Sequence, residues 1–182
     1  MPNWCSNAIE ITGPKDKIKA LWESAQKDEK EGGGLLQTLD PMPRELIDTE
    51  GLGDGDNWYS WRVSNWQTKW EVSTEGLEYN EDGDTATISG WFDSAWSPPI
   101  GAAEHYATDN PDVKIVLDYY EPGMAFVGRY TIEEGVGEDV YFEYGSETSE
   151  TVRDLIGEDM DDMWNISEQM AEYEAEYDDD DE

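Results

Sequence analysis

Residues 8–12 are rich in strand-forming residues and stop at Gly13-Pro14, so the chain should open on a strand and a turn. Ile18, Leu21, Trp22 and Ala25 then recur at steps of three and four. That spacing predicts a helix from residue 15 to about residue 30, one face laid on a sheet and ended by Gly32-Gly33-Gly34. Residues 35–55 contain Pro41, Pro43 and several glycines and read as a long connection, with at most a turn of helix around residues 45–48. A connection of that length is a candidate functional loop. Trp58, Trp61 and Asn65 can share one face of a short aromatic helix over residues 57–66. Residues 70–79 and 85–92 flank Asn80-Glu81-Asp82-Gly83-Asp84 and predict a hairpin. Ser97-Pro98-Pro99 supplies a helix start, with Ser97 as the cap, and Asn110-Pro111 supplies the stop. Residues 113–121 and 125–132 form a second hairpin around Pro122-Gly123.

The resulting order, β-α-(α)-β-β-α-β-β, contains the split βαβ unit, in which two helices pack on one face of an antiparallel sheet. The expected class is therefore α+β: a ferredoxin-like antiparallel sheet with helices on one face, plus an acidic C-terminal extension. Beyond Glu133 the chain changes character, which divides it into a domain over residues 1–135 and a partly helical acidic tail over residues 136–182. A short strand is expected at residues 140–144. Val152, Leu155, Ile156, Met160, Met163, Trp164, Met170, Tyr173 and Tyr177 follow, mostly at steps of three, four or seven, as amphipathic helices would place them. The acids of residues 178–182 repel one another and should be disordered.

Charge alters this picture more than any other property. The chain holds 45 Asp and Glu against 11 Lys and Arg, a net charge of -34. Residues 1–132 carry 24 acids and 10 bases, whereas residues 133–182 carry 21 acids and one base, Arg153. Direct binding to phosphate backbones is disfavoured by such a field. A solubilising surface, adaptation to high salt and imitation of a polyanion all remain open as explanations. No apolar run is long enough to span a bilayer, and the opening residues lack the form of a secretory signal, so a cytoplasmic protein with no membrane partner is expected. Cys5 is the only cysteine, which excludes an internal disulfide and a cysteine-based metal cage within one chain.

Three ordered motifs carry a family resemblance: Met1-Pro2-Asn3-Trp4-Cys5-Ser6-Asn7, Asn65-Trp66-Gln67-Thr68-Lys69-Trp70 and Trp91-Phe92-Asp93-Ser94-Ala95-Trp96-Ser97-Pro98-Pro99. Together they resemble the YubB ferredoxin-like family, known chiefly from phages and plasmids. The likeness runs from residue 1 to about residue 128 and includes Tyr119-Tyr120-Glu121-Pro122-Gly123 and Phe126-Val127-Gly128. It implies a ferredoxin-like domain of mobile-element origin and brings no established reaction or catalytic residues. Gln67 stands where the motif usually has Gly, and the acidic tail lies outside the resemblance.

Candidate chemistry is sparse. His105 is the only histidine, sits in a predicted helix beside Ala103 and Tyr106, and reads as structural or exposed. Cys5, between Trp4 and Ser6, reads as a packed small side chain rather than a nucleophile. Asp54-Gly55-Asp56 and Asp82-Gly83-Asp84 superficially resemble calcium loops, but neither continues into the full oxygen-ligand pattern, and both read as turns. No enzyme activity, cofactor or metal is expected. Trp58, Trp61, Trp66, Trp70, Trp91 and Trp96 are read mostly as core pillars, with Trp58, Trp61, Arg62, Trp66 and Lys69 as the alternative aromatic surface for single-stranded nucleic acid. The leading expectation is a phage- or plasmid-encoded accessory protein, an anti-defence DNA mimic, whose acidic surface engages a basic nucleic-acid-binding protein of the host or element. Met160, Asp161, Asp162, Met163, Trp164, Met170, Glu172, Tyr173, Glu174, Glu176 and Tyr177 are the expected partner-binding residues, acids for encounter and apolar side chains as anchors. The rival reading is a structural or assembly role, in which the tail helices pack on the protein's own domain or on a second copy in a homo-oligomer and the charge keeps the assembly soluble.

Overall fold

The computed structural model describes residues 3–51 and 56–179. Its centre is a six-stranded sheet in the order β2-β3-β1-β4-β5-β6, antiparallel at every pair. The strands are β1 (Trp4–Pro14), β2 (Leu77–Asp82), β3 (Thr85–Ala95), β4 (Lys114–Glu121), β5 (Phe126–Glu133) and β6 (Val136–Glu143). The first four strands, with α1 (Lys15–Ala25) between β1 and β2 and α5 (Ile100–Asp109) between β3 and β4, make the ferredoxin-like arrangement. β5 and β6 extend it beyond β4. Between α1 and β2 lie three short helices, α2 (Leu35–Leu39), α3 (Arg44–Ile47) and α4 (Trp58–Asn65).

Alternation along the strands divides their side chains between two faces. Ile9 and Ile11 of β1, Ile88 of β3, Ile115 and Leu117 of β4 and Ile132 of β5 form the main core with α1, α2 and α5. On the other face Tyr120 of β4 and Val127 of β5 form a second core with Tyr144 and residues of the C-terminal segment. That segment folds as α6 (Val152–Ile156), α7 (Glu158–Trp164) and α8 (Ile166–Asp179). Val152, Ile156, Trp164 and Ile166 are its buried contributions, so the tail is a helical layer on the second sheet face.

Several expectations need correcting. The first helix ends at Ala25 rather than near residue 30, because the chain turns back and the Gly34 N–H donates to the Ala25 carbonyl. Leu35, Leu36 and Leu39 make a helix of a segment expected to be loop, since all three are buried against the core. Residues 70–76 form no strand: the Glu71 carboxylate holds this stretch against α2 by accepting from the Leu36 and Gln37 amides. Ser97 does not cap α5; its hydroxyl donates to the Gln67 carbonyl instead.

The expected short strand at residues 140–144 is a full eight-residue strand, β6, paired with β5 along its whole length. The expected domain boundary near Gly135 falls in the β5–β6 turn, and the sheet continues past it. Glu134 and Gly135 both have positive φ, 54° and 74°, as a two-residue turn matched to strand twist requires. Asp82-Gly83-Asp84 is the tight turn between β2 and β3, whereas Asp54 and Gly55 lie outside the described residues. The run of acids expected to be disordered, residues 178–182, begins in the last two residues of α8, and residues 180–182 lie outside the described residues. Among the described residues no helix is long and apolar enough to cross a membrane.

Candidate functional site

The three sequence motifs converge at one end of the sheet. β1 and β3 pair so that Trp4 faces Ala95, Cys5 faces Ser94 and Asn7 faces Phe92. Buried Asn7 donates from Nδ2 to the Cys5 carbonyl at 2.8 Å and to Ser94 Oγ at 2.9 Å, tying the first motif to the third. The Thr68 hydroxyl then donates to the Ala95 carbonyl at 2.9 Å and accepts the Ala95 N–H at 3.1 Å, adding the second motif. Gln67 takes φ 66°, the left-handed conformation in which a glycine is unstrained. The departure from the motif therefore keeps the turn but strains it.

This junction gathers the tryptophans, although most are not core pillars. Trp66 alone of the six is fully buried, and its indole N–H donates to the Asp40 carbonyl at 2.8 Å. Trp58, Trp61 and Trp70 are half-buried, while Trp91 and Trp96 are exposed at 52% and 39%. The reason is geometric: Trp91 sits on the sheet face away from the main core, and Trp96 lies beyond the end of β3 with φ 72°.

The scarce cations lie among these rings. Arg62 on α4 is sandwiched between Trp58 and Trp66, its Cζ 5.5 and 4.6 Å from the ring centroids. Lys69 Nζ lies 4.6 Å from Trp70, 5.4 Å from Trp96 and 5.7 Å from Tyr59. The expected aromatic surface thus exists as a cluster, with Trp61 joined edge-on to Trp66 at 5.8 Å. Its two bases are folded onto aromatic faces rather than ranged along a groove. Between α2, α4 and the segment after Trp66 lies a cleft of about 280 Å³, walled by Trp58 and Trp70 with Glu29, Glu71 and Arg62 on its lining. Burial pushes the Glu71 carboxyl up to about 7, against three backbone amides, of Leu36, Gln37 and Val72, that favour its ionised form.

The tail residues separate into two sets. Trp164 is buried, and Met160, Met163 and Met170 pack beside it on the second core, so these anchors are engaged with the chain's own sheet. Asp161 is buried too: burial opposes its ionisation, but the Ser167 N–H and hydroxyl and Arg153 stabilise the charge enough to hold its pKa below the ordinary value. Arg153, the one base after residue 132, pairs with Glu158, Asp161 and Asp162 at 2.8–2.9 Å. Asp162, Glu172, Tyr173, Glu174 and Glu176 are exposed, and Glu174 is pinned by Ser149, which donates from its N–H and hydroxyl. The Tyr177 side chain lies outside the described residues.

Groups with reactive potential elsewhere are enclosed or exposed singly. Cys5 is buried, and burial pushes its thiol up to about 12. His105 Nε2 stands 3.6 Å from Asp40 Oδ1 on α5's outer side. Among the described residues no group of three or more His, Cys, Asp or Glu is placed to hold a metal ion.

Comparison with known proteins agrees with the topology. No curated protein matches the chain. Among solved structures, the crystal structure of protein api92 from Yersinia pseudotuberculosis is 11% identical, with a TM-score of 0.48 over 81% of this chain and 99% of that one. The family model described as "Ferredoxin-like domain in Api92-like protein" matches residues 65–167, from the second motif through β6 and α7 into the start of α8. That match spans more than half of the 182 residues, and the chain belongs to the family of ferredoxin-like domains in Api92-like proteins.

Proposed function

We propose that the protein is a binding protein, not an enzyme, whose acidic helical layer engages a basic nucleic-acid-binding protein by imitating a polyanion. The observation that carries this reading is the division of labour in α6–α8. Apolar residues point into the second core, while Asp162, Glu168, Glu172, Glu174 and Glu176 stand on the outside. A carboxylate array on a packed layer keeps its spacing, and charges held in place cost less ordering on binding than charges on a loose tail. Arg153 is held by Glu158, Asp161 and Asp162, so of the five outward carboxylates it offsets Asp162 alone. The motif resemblance to the YubB family extends the reading to a phage- or plasmid-encoded protein acting in the host cytoplasm. Single-stranded nucleic-acid binding has less support, since Arg62 and Lys69 are both occupied by aromatic rings.

The test is affinity capture from a phage- or plasmid-bearing host, with the full chain as bait. A basic nucleic-acid-binding protein should be retained, eluted by duplex DNA, and lost when Asp162, Glu168, Glu172, Glu174 and Glu176 are neutralised to Asn or Gln. Retention that neither DNA nor neutralisation alters would reject polyanion mimicry.

A further inference from the structure

We infer that the cleft between Trp58 and Trp70 receives an arginine side chain of the basic partner, in contact with Glu71. This deepens the proposed function, because the tail's own apolar anchors are spent on the second core and a charged layer alone gives rapid exchange. The cleft supplies what the layer lacks: walls of indole, a volume of about 280 Å³ and a carboxylate fixed at its lining.

Charge decides the class of occupant. Glu29 and Glu71 face Arg62 across the cleft, leaving one uncompensated negative charge when Glu71 is ionised. Among the described residues none of these three side chains makes an ion pair, so Arg62 does not close onto either carboxylate. A second guanidinium completes a two-against-two arrangement. An anionic occupant would meet both carboxylates and the field of a chain of net charge -34.

Shape selects arginine over lysine. A guanidinium is planar and weakly hydrated, so it stacks on an indole and donates in the plane at the same time. The chain displays this chemistry internally, with Arg62 held between Trp58 and Trp66. Among the described residues Glu71 Oε2 accepts one hydrogen bond, from the Gln37 N–H, which leaves that oxygen a further acceptor site for the incoming donor.

Ionisation of Glu71 gives the occupant a signature that the outer acids do not share. Its carboxyl is raised to about 7; Glu29 from the turn at Glu29–Glu31 and Arg62 from α4 face it across the cleft, Lys27 and Glu75, of opposite charge, line the opening on its other side, and α2 presents the Leu36 and Gln37 amides. An arginine binds the ionised form, so its affinity should climb as pH passes through 7, whereas carboxylates of ordinary pKa are already charged there.

The experiment is a titration of the full chain, its indoles labelled with nitrogen-15, with N-acetyl-L-arginine amide. The indole signals of Trp58 and Trp70 should shift saturably, with affinity rising about tenfold from pH 6 to pH 8. Glu71→Gln should weaken binding about tenfold and abolish the pH dependence. Absence of shifts at these two indoles, pH-independent affinity of the parent, or unchanged affinity in Glu71→Gln would each overturn the inference. The pH series on the parent stands even if the variant folds poorly. Neutralising Glu172, Glu174 and Glu176 should leave this titration unchanged, so the cleft can fail while DNA-competed capture succeeds, or the reverse.

Discussion

The Trp164 indole on α7 meets the Trp91 indole on β3 edge to face, with ring centroids 5.3 Å apart and planes at 85°. Trp164 also lies over Tyr120 of β4 at 5.6 Å. One side chain thus joins the acidic segment to two strands of the sheet, and the segment's helices depend on that seat.

Trp164→Ala should cost about 3 kcal/mol, the lower end of the range for removing a large buried aromatic. The loss should be local. Amide exchange should accelerate throughout α6–α8 while Ile88 and Ile115, in the other core, keep their protection. Trp164→Phe should lose far less, because the buried indole N–H has no hydrogen-bond partner among the described residues. Uniform destabilisation of both cores by Trp164→Ala would show that the layer does not unfold separately.

Trp66 and Trp91 should respond very differently to truncation. Trp66→Ala removes a fully buried ring and its hydrogen bond to Asp40, and should cost about 3–5 kcal/mol in chemical denaturation. Trp91 is 52% exposed and contributes chiefly an edge-on contact, so Trp91→Ala should cost about 1 kcal/mol. Equal losses would contradict the placement of Trp91 on the second face.

Gln67 offers a stabilising change. A left-handed φ of 66° costs a side-chain-bearing residue about 1–2 kcal/mol, partly offset on replacement by the chain entropy glycine loses. Gln67→Gly should therefore raise stability by up to about 1 kcal/mol, and Gln67→Val should lower it. A melting temperature that falls in Gln67→Gly would show that the Gln67 side chain contributes more than the strain removes.

Glu71 sets a pH dependence whose sign follows from burial. The folded state raises its carboxyl from 4.5 to about 7, so between those values the folded chain holds a proton that the unfolded chain releases. Stability from this group is complete below about pH 4.5 and is lost as pH rises through 7, by up to about 3 kcal/mol. Denaturation at pH 5 and pH 8 should show that difference in the parent relative to Glu71→Gln. A parent and variant with the same pH slope would contradict it.

The sequence conveyed the strand and helix order because Ile9, Ile18, Leu21, Ile88, Ile115 and Ile132 keep the period of their own element and all face one core. It also conveyed α4, through the shared face of Trp58, Trp61 and Asn65; the Asn57 side chain that caps it by accepting the Ser60 N–H was a signal left unused. The amphipathic spacing of the tail left open whether its helices pack on the chain's own domain or on a second copy, and which sheet residues they meet was not legible. Trp91, Tyr120 and Trp164 lie far apart in the chain, and periodicity says which side of an element is apolar but not what covers it. The same limit applies to the cleft: Glu71 resembles any surface acid in this sequence until the fold places it against the amides of Leu36 and Gln37. A usable signal for β6 did exist in Glu134-Gly135, a pair able to take the two positive φ angles of a tight hairpin.

The central claim, that the outward carboxylates of α7 and α8 compete with nucleic acid for a basic protein, is tested most directly by displacement. Labelled duplex DNA is bound to the captured partner and followed by fluorescence anisotropy as the full chain is added, at several salt concentrations. Displacement should weaken steeply with salt, as screening between charged surfaces requires, and should be lost when Asp162, Glu168, Glu172, Glu174 and Glu176 are neutralised. DNA that stays bound at every salt concentration, or displacement equally strong with the neutralised chain, would contradict it.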